Sequence, residues 1–508
     1  MLVQAILVIY IAASIGLLIY GLNAYVMVGL MLPRRKKQAT ADQEIRARFT
    51  PSDDDLPLVT TQLPIYNEKN VVARLLQSVC AFDYPADRHE IQVLDDSTDE
   101  TSLVVADLVA ELRTAGHDIH HVRRQHRQGF KAGALAKGLL IAKGEFVAIF
   151  DADFVPPADF LRSTVPFLLA DPRCCFVQTR WGHRNRNFSL LTELQSIGID
   201  GHFVVEQAAR AWHGLFFNFN GTAGIWRTEA ISDAGGWKAD TLTEDLDLSY
   251  RALLRGWHPR YLLDYVTPAE VPTDINALKA QQRRWATGSI QCAIKMLPTV
   301  LKRSDLSLFK KIQGALHLTH YLIHPLILTL TILVLPLVLL RGVAFANAMT
   351  LPLVGVMLIA MFGPSTLYVI SQAVTGGRWV RSILLMPLLI GIGIGLAANN
   401  SLAVARALLG LKGGEFVRTP KLGEQAETHS GERPITATGY RPPPSRLFVF
   451  EIFLGLWALG ACASFVIAIG PGGGILLLIQ ALGFTAVGVL SVLHNRRQGL
   501  GRPAQKTS

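Results

Sequence analysis

Acidic residues at the ends of short apolar runs are the first groups in this sequence that could do chemistry. Phe146-Val147-Ala148-Ile149-Phe150 leads into Asp151-Ala152-Asp153, Ile91-Gln92-Val93-Leu94 into Asp95-Asp96, and Gln62-Leu63-Pro64-Ile65 into Tyr66-Asn67-Glu68. Such runs read as buried strands, and open α/β sheets bind ligands at the carboxyl ends of their strands. Alternate side chains of an extended segment share a face, so Asp151 and Asp153 are expected to point the same way, within reach of one hard cation. Mg²⁺ or Mn²⁺ held by one or two carboxylates keeps positions open for a diphosphate. Asp96 and Glu68 are then available for the base and ribose of a nucleotide. Two further groups lie downstream: Thr243-Glu244-Asp245, and Gln281-Gln282-Arg283-Arg284-Trp285 at the head of an amphipathic stretch.

These residues need a frame. Helical stretches, for example 71–80 and 102–113, alternate with the strands, the pattern of a largely parallel α/β sheet. That pattern occupies a soluble domain at 34–300.

Around it the composition changes. The chain has 508 residues, half of them apolar and 17% charged, with mean hydropathy +0.31 and a net charge of 49 − 39 = +10. This excludes a disordered tail, a collagen and a small disulfide scaffold. The five cysteines show no CxxC or Cys/His ligand spacing, against a disulfide framework or a zinc site. The basic residues gather beside apolar segments without interleaved aromatics, so they read as topology determinants and no nucleic-acid partner is expected.

Residues 2–32 carry no charge and precede Pro33-Arg34-Arg35-Lys36-Lys37. The stretch exceeds the ~20 residues that a span needs, which favours an anchor at 1–33 over a cleaved signal. Positive charge after it puts the following domain in the cytoplasm. Apolar spans recur at about 316–340, 350–374, 446–470 and 474–493. The apolar stretch 382–411 is broken by Pro387, glycines and Asn399-Asn400. If it crossed, the basic segment that follows would lie outside, so five spans with an interfacial or re-entrant 382–411 are expected. The chain then divides into a helix pair with a preceding interfacial helix (301–380), an interfacial segment and cytoplasmic loop (381–445), and a helix pair with a basic tail (446–508). His317, His320 and His324 recur at helical spacing and are read as lining a polar path or satisfying neighbouring helices, not as metal ligands.

The ordered set Asp96, Asp151/Asp153, Thr243-Glu244-Asp245 and Gln281-x-x-Arg284-Trp285 resembles the signature of processive family 2 glycosyltransferases, the cellulose, chitin and hyaluronan synthases. Val93 to Asp99, Gly129-Phe130-Lys131-Ala132-Gly133, Phe219-Asn220-Gly221-Thr222-Ala223-Gly224 and Gly235-Gly236-Trp237-Lys238 are more closely similar to the cellulose-synthase-like mannan and glucomannan synthases and their bacterial relatives. Ala286-Thr287-Gly288-Ser289 departs from the plant pattern, which leaves the donor sugar open.

The resemblance implies a cytoplasmic GT-A-like domain inserted between transmembrane helices of a multi-pass protein of the cell membrane. It implies an inverting, processive β-glycosyltransferase that passes a growing β-glycan through its helices. The donor is GDP-mannose or UDP-glucose, and no envelope-complex partner is identified. Asp245 acts as general base beside Glu244 and Thr243. Tyr66, Glu68, Asp96, Lys131, Asp151 and Arg284 hold the nucleotide-sugar. Gln281, Trp285, Asn220, Gly221 and Thr222 face the acceptor, and Asp151 and Asp153 hold Mg²⁺ or Mn²⁺. Phe416-Val417-Arg418-Thr419 resembles a gating loop that covers the nucleotide. The competing expectations are a glycolipid synthase transferring one sugar to a membrane lipid and a catalytically inactive scaffold.

Overall fold

The computed structural model describes residues 1–49, 51–377, 379–411, 446–469 and 474–499. Its centre is a seven-stranded sheet, β1 (Val59–Ile65), β2 (His89–Asp95), β3 (Asp118–Arg123), β4 (Phe146–Ile149), β5 (Cys174–His183), β6 (Gly224–Arg227) and β7 (His258–Ala269), in the order β3-β2-β1-β4-β6-β5-β7. The expected parallel arrangement holds except at β6, which pairs antiparallel with both β4 and β5. Because β6 runs the other way, the residues that enter it, Asn220 to Ala223, lie at the edge where β1, β2, β3 and β4 end. That reversal brings Gly221 and Thr222 to the same rim as Tyr66, Asp96 and Asp151.

Helices cover the sheet. They are α1 (Leu2–Arg48), α2 (Val72–Cys80), α3 (Thr101–Thr114), α4 (Phe130–Leu139), α5 (Phe160–Ala170), α6 (Leu190–Asp200), α7 (Ala208–Trp212), α8 (Thr228–Asp233), α9 (Glu244–Leu254) and α10 (Ile275–Lys302). Their apolar stripes explain the packing. Val72, Leu75, Leu76 and Val79 of α2 recur at helical spacing and are fully buried, each contributing about 1.5–3 kcal/mol by leaving water. Between α6 and α7, Gly201–Gln207 forms a π-helical turn.

After α10 follow α11 (Leu308–Thr319), α12 (Ile323–Val374), α13 (Trp379–Gly395), α14 (Ala397–Leu408), α15 (Phe448–Ile469) and α16 (Ile475–Gly499). Among the described residues, five stretches are long and apolar enough to cross a membrane: Leu2–Arg48, Leu308–Leu340, Trp379–Leu408, Phe448–Ala468 and Ile475–Asn495.

Contacts refine that set. On α1, Asn23 bonds Gln313, Tyr20 bonds Thr319 and Gly16 meets Leu326, so this arm runs antiparallel to α1. Gly21 also meets Ala360, and Arg35 bonds the Val374 carbonyl, so the far arm of α12 runs parallel to α1. A straight rod would separate residues 326 and 360 by about 50 Å, so α12 is not one straight rod; its far part, Leu358–Val374, is a shorter apolar helix and is not among the five stretches. The segment 379–408 is tied to α6 and to α10. Arg381 pairs with Glu193 of α6 at 2.7 Å, and Asn399 donates to the Lys279 carbonyl of α10 at 3.0 Å. Its length and hydropathy suffice to cross a membrane.

One expectation is corrected. α1 does not end at Pro33 but continues through it to Arg48. The Arg34 guanidinium binds the Trp212 carbonyl, and Arg35 binds Val374. Arg34 thus fastens the helix to the sheet domain and Arg35 fastens it to α12, and the loss of one helical hydrogen bond at proline is tolerated there.

Backbones of α1 and α12 approach closely: a Cβ at Gly21 would lie 2.5 Å from the Ala360 Cα, and one at Gly363 2.1 Å from the Gly21 carbonyl oxygen. Gly21→Leu is expected to lower the melting temperature of the detergent-solubilised protein by several degrees, whereas Gly29→Leu, with nothing within 4 Å of its Cβ, leaves it unchanged.

Candidate active site

The rim of the sheet is built from strand ends. β2 ends in two aspartates with opposite fates. Asp95 is buried and accepts hydrogen bonds from the Ser97 amide at 2.8 Å, His121 at 2.9 Å and the Ser102 hydroxyl. Burial alone would raise its pKa, but these donors outweigh burial and hold it down to about 2. Asp96 faces a crevice lined by Leu94, Val122, Arg124, Ala134 and Lys137. There Arg124 grips it bidentately, with Nε at 2.9 Å from one oxygen and Nη2 on the other. The same guanidinium donates to the carbonyls of Gln128 and Phe130 at 2.8 and 2.9 Å. It therefore holds a turn in which Gly129 and Phe130 both have positive φ, 73° and 49°, and that turn opens α4 and presents Lys131.

Asn67, at φ 57°, knits β1 to β2: its amide donates to the Ser97 hydroxyl at 2.9 Å, and its side-chain oxygen accepts from the Thr98 amide at 2.8 Å. Tyr66 lies beneath the Arg127 guanidinium, 3.3 Å from its ring centre. Glu68 is half-buried one turn before α2.

Lys131 links three motifs. Its Nζ lies 2.5 Å from the Asp151 carboxylate and 2.9 Å from the Gly221 carbonyl. Burial disfavours its charge, but Asp151, Glu244 and Asp245 together hold its pKa above the ordinary value. The Asp151 amide donates to the buried Thr222 hydroxyl at 2.8 Å. Gly221 has φ 78°, and a Cβ there would sit 2.9 Å from Asp245 Oδ2 and 3.4 Å from Lys131 Nζ. Only glycine lets the Asp245 carboxylate come this close.

Asp245 stands in the first turn of α9, its Oδ1 accepting the Leu246 amide at 2.8 Å. Burial first and the Glu244 charge second push its pKa up to about 7, against the opposing pull of Lys131 and the backbone amides. A carboxylate in this state can take a proton near neutral pH. Thr243 packs against Gly288 of α10, where a Cβ would meet it at 2.5 Å.

Asp151 and Asp153 do not sit as expected. β4 stops at Ile149, and residues 151–154 form a turn closed by the Phe154 amide on the Asp151 carbonyl at 3.1 Å. Strand alternation therefore does not apply. The Asp151 side chain is 37% exposed while Asp153 is nearly buried. Among the described residues no cluster of three or more His, Cys, Asp or Glu could hold a metal. The pair nevertheless supplies hard oxygen donors of the kind that leave further positions to phosphate.

On α10, Gln281 and Arg284 are half-buried, and the Gln281 Oε1 is buried without a hydrogen-bond partner. Trp285 packs beside Ile290, Tyr321 and Val404. The Asn220 amide donates to Gln178 Oε1 at 2.9 Å, and its side-chain oxygen accepts from Gln207 at 2.9 Å. The histidines behave as expected of helix-satisfying groups: His317 bonds the Tyr250 hydroxyl at 2.8 Å and His324 bonds Asn400 at 2.9 Å. The gating-like residues 416–419 lie outside the described residues.

Three residues escaped the sequence reading. Arg124 had a signal, since it follows β3 at the ligand-binding rim. Arg127 stacks on Tyr66 from the same loop. Gln178, a buried polar residue inside β5, braces the 220–223 turn by donating to the Thr222 and Ala223 carbonyls, each at 3.0 Å.

Residues 57–288, the domain that carries this rim, match the family described as Glycosyltransferase like family 2. A probable glucomannan 4-beta-mannosyltransferase 2 of Oryza sativa subsp. japonica is 34% identical over 440 residues, which span 85% of this chain and 74% of that protein. Glucomannan 4-beta-mannosyltransferase 1 of Cyamopsis tetragonoloba is 33% identical, over 92% of this chain and 87% of its own. Among solved structures, a mannosyltransferase from Pyrobaculum calidifontis in complex with GDP-Man and Mn²⁺ has a TM-score of 0.45 at 21% identity, covering 77% of this chain and 99% of that one. With relatives of this identity matched over most of their length, the chain belongs to the cellulose-synthase-like family 2 glycosyltransferases and is a hexosyltransferase embedded in a membrane.

Proposed function

We propose that this enzyme polymerises a β-1,4-linked mannan or glucomannan by transferring mannose from GDP-mannose, on the cytoplasmic face of the cell membrane. The observation that carries the chemistry is the Asp245 carboxylate, enclosed at Gly221 with a pKa pushed up to about 7. The names of its relatives support mannose as the sugar, and the basic residues after Pro33 support the cytoplasmic placement.

Asp245 takes the proton from an acceptor hydroxyl as that oxygen attacks the anomeric carbon. Attack from the face opposite the diphosphate gives a single displacement with inversion. Glu244 keeps Asp245 basic, and Thr243 anchors the turn against α10. Lys131 and Arg284 stabilise negative charge developing on the leaving diphosphate. Tyr66, Glu68 and Asp96 hold the nucleoside, with Arg124 fixing Asp96. A divalent cation on Asp151 and Asp153 supplies further positive charge to the diphosphate when bound. Asn220, Gly221, Thr222, Gln281 and Trp285 shape the acceptor side, where the indole face suits a sugar ring. Residues 416–419 are assigned to cover the nucleotide. The helix bundle against the domain receives the growing chain.

Four outcomes test this reading. Purified protein in lipid vesicles with Mg²⁺ or Mn²⁺ is expected to make mannanase-sensitive polymer from GDP-mannose. Polymer from UDP-glucose alone would move the donor assignment, and product that stays lipid-sized would favour a glycolipid synthase. Asp245→Asn is expected to lower kcat by about 10²–10⁴-fold while GDP binding, read by calorimetry, persists. Activity should rise with pH through a limb near 7, because the base must be ionised. Removing the positive charge in Lys131→Met raises the Asp245 pKa, so in that variant the limb is expected at higher pH.

A further inference from the structure

α10 is tied at two ends to different parts of the molecule. Its amino-terminal turns are fastened to the membrane helices. Asp274 caps the helix through the amides of Asn276 and Ala277 and pairs with His494 of α16 at 2.8 Å. Lys279 is almost fully buried, its Nζ 2.6 Å from Glu451 of α15 and 3.2 Å from the Ser491 hydroxyl of α16. The Lys279 carbonyl and the Arg283 guanidinium are bridged by one side chain, Asn399 of α14. Four helices thus meet on one turn, immediately before Gln281-x-x-Arg284-Trp285. Glu451 lies in a helix apolar enough to cross the bilayer and is itself fully buried. A charge in that place is costly and is kept where it has a task.

The other end of α10 abuts the Thr243-Glu244-Asp245 turn. Gly288 lies beneath Thr243, the Gln291 side chain accepts the Leu242 amide at 2.9 Å, Cys292 contacts the Thr243 hydroxyl at 3.4 Å, and Lys295 pairs with Asp247 at 2.7 Å. Nine residues of helix, about 13 Å, separate Lys279 from Gly288. Slippage by one residue moves each side chain by about 1.5 Å along the axis and 100° around it. It would replace the glycine under Thr243 with a Cβ where only 2.5 Å is free.

We propose that the Lys279–Glu451 ion pair is a positioning element that sets the register of α10 against the membrane helices and thereby holds Thr243-Glu244-Asp245 at the reacting centre. An apolar contact between helices tolerates sliding, whereas a buried ion pair is satisfied in one register only. The pair acts through Gly288 and does not touch substrate. Its link to catalysis rests on the reading of Asp245 as the base, while its effect on register does not.

The test uses the full chain in lipid nanodiscs with Cys292 retained as the sole cysteine, since Cys292 is buried against Thr243. Lys279→Met and Glu451→Gln are each expected to lower kcat about tenfold or more, to leave the Kd for GDP within about twofold, and to raise maleimide labelling of Cys292 severalfold. The charge-swapped pair Lys279→Glu with Glu451→Lys is expected to recover much of both. Should Lys279→Met fail to fold, Asn399→Ala removes only the bridge between Lys279 and Arg283 and is expected to give the same signs at smaller size. Unchanged kcat and labelling would overturn the proposal, as would lost activity with Cys292 still protected, or GDP binding lost in parallel with activity. Cys292 labelling reads the register whether or not mannose is the sugar transferred, so the two readings fail separately.

Discussion

A carboxylate pressed against a glycine is the contact on which this structure turns. Asp245 can lie over Gly221 because that residue has no side chain, and it stays in its place because Lys131 stands at the same point. Burial and Glu244 make the carboxylate basic, while Lys131 keeps it from becoming too basic to ionise. Three motifs separated in the chain, 129–133, 219–224 and 243–245, therefore converge on one point of the rim. With Asp245 read as the base, the three supply a counter-charge, room and a rigid platform for it.

The rest of the fold serves that convergence. The carboxyl ends of β1 to β4 deliver Tyr66, Asp96, Arg124 and Asp151 to one rim, and the reversed strand β6 brings Gly221 and Thr222 to it from the opposite direction. Two buried acids illustrate the division of labour. Asp95 is satisfied by three donors and serves the framework, while its neighbour Asp96 is left to Arg124 at the surface of a crevice. Behind the rim, α10 lies between the catalytic turn and the membrane helices, so the geometry of the site and the packing of the bundle are not independent.

Much of this was legible in the residues. Strands at 91–94 and 146–150 and helices at 71–80 and 102–113 follow from apolar spacing, and their observed bounds differ by a residue or two, where helix ends and strand ends fray. That polar residues stand at the strand ends was legible because the apolar runs stop there, and the rim they form holds Tyr66, Asp96 and Asp151. What was not legible depends on pairing between distant segments. No local pattern says that β6 runs backwards, that Arg124 closes on Asp96, or that Gln178 braces the 220–223 turn. The relative placement of Asp151 and Asp153 was not legible for a related reason: β4 ends one residue earlier than the apolar run suggests, and a turn replaces the strand alternation. Likewise the charge run after Pro33 marks topology in the sequence, but only the folded chain shows that Arg34 holds α1 onto the domain at Trp212 and Arg35 holds it onto α12 at Val374.

A single displacement driven by one base leaves a stereochemical record. The measurement that bears most directly on it is the anomeric configuration of the first bond formed, followed by proton NMR on product made from an α-linked nucleotide-sugar and analysed before any later processing. A β linkage from the first turnover is what a lone, enclosed Asp245 requires, with no covalent intermediate between donor and acceptor. An α linkage would mean two displacements or a front-face departure, and it would contradict the assignment of Asp245 as the base of an inverting transfer.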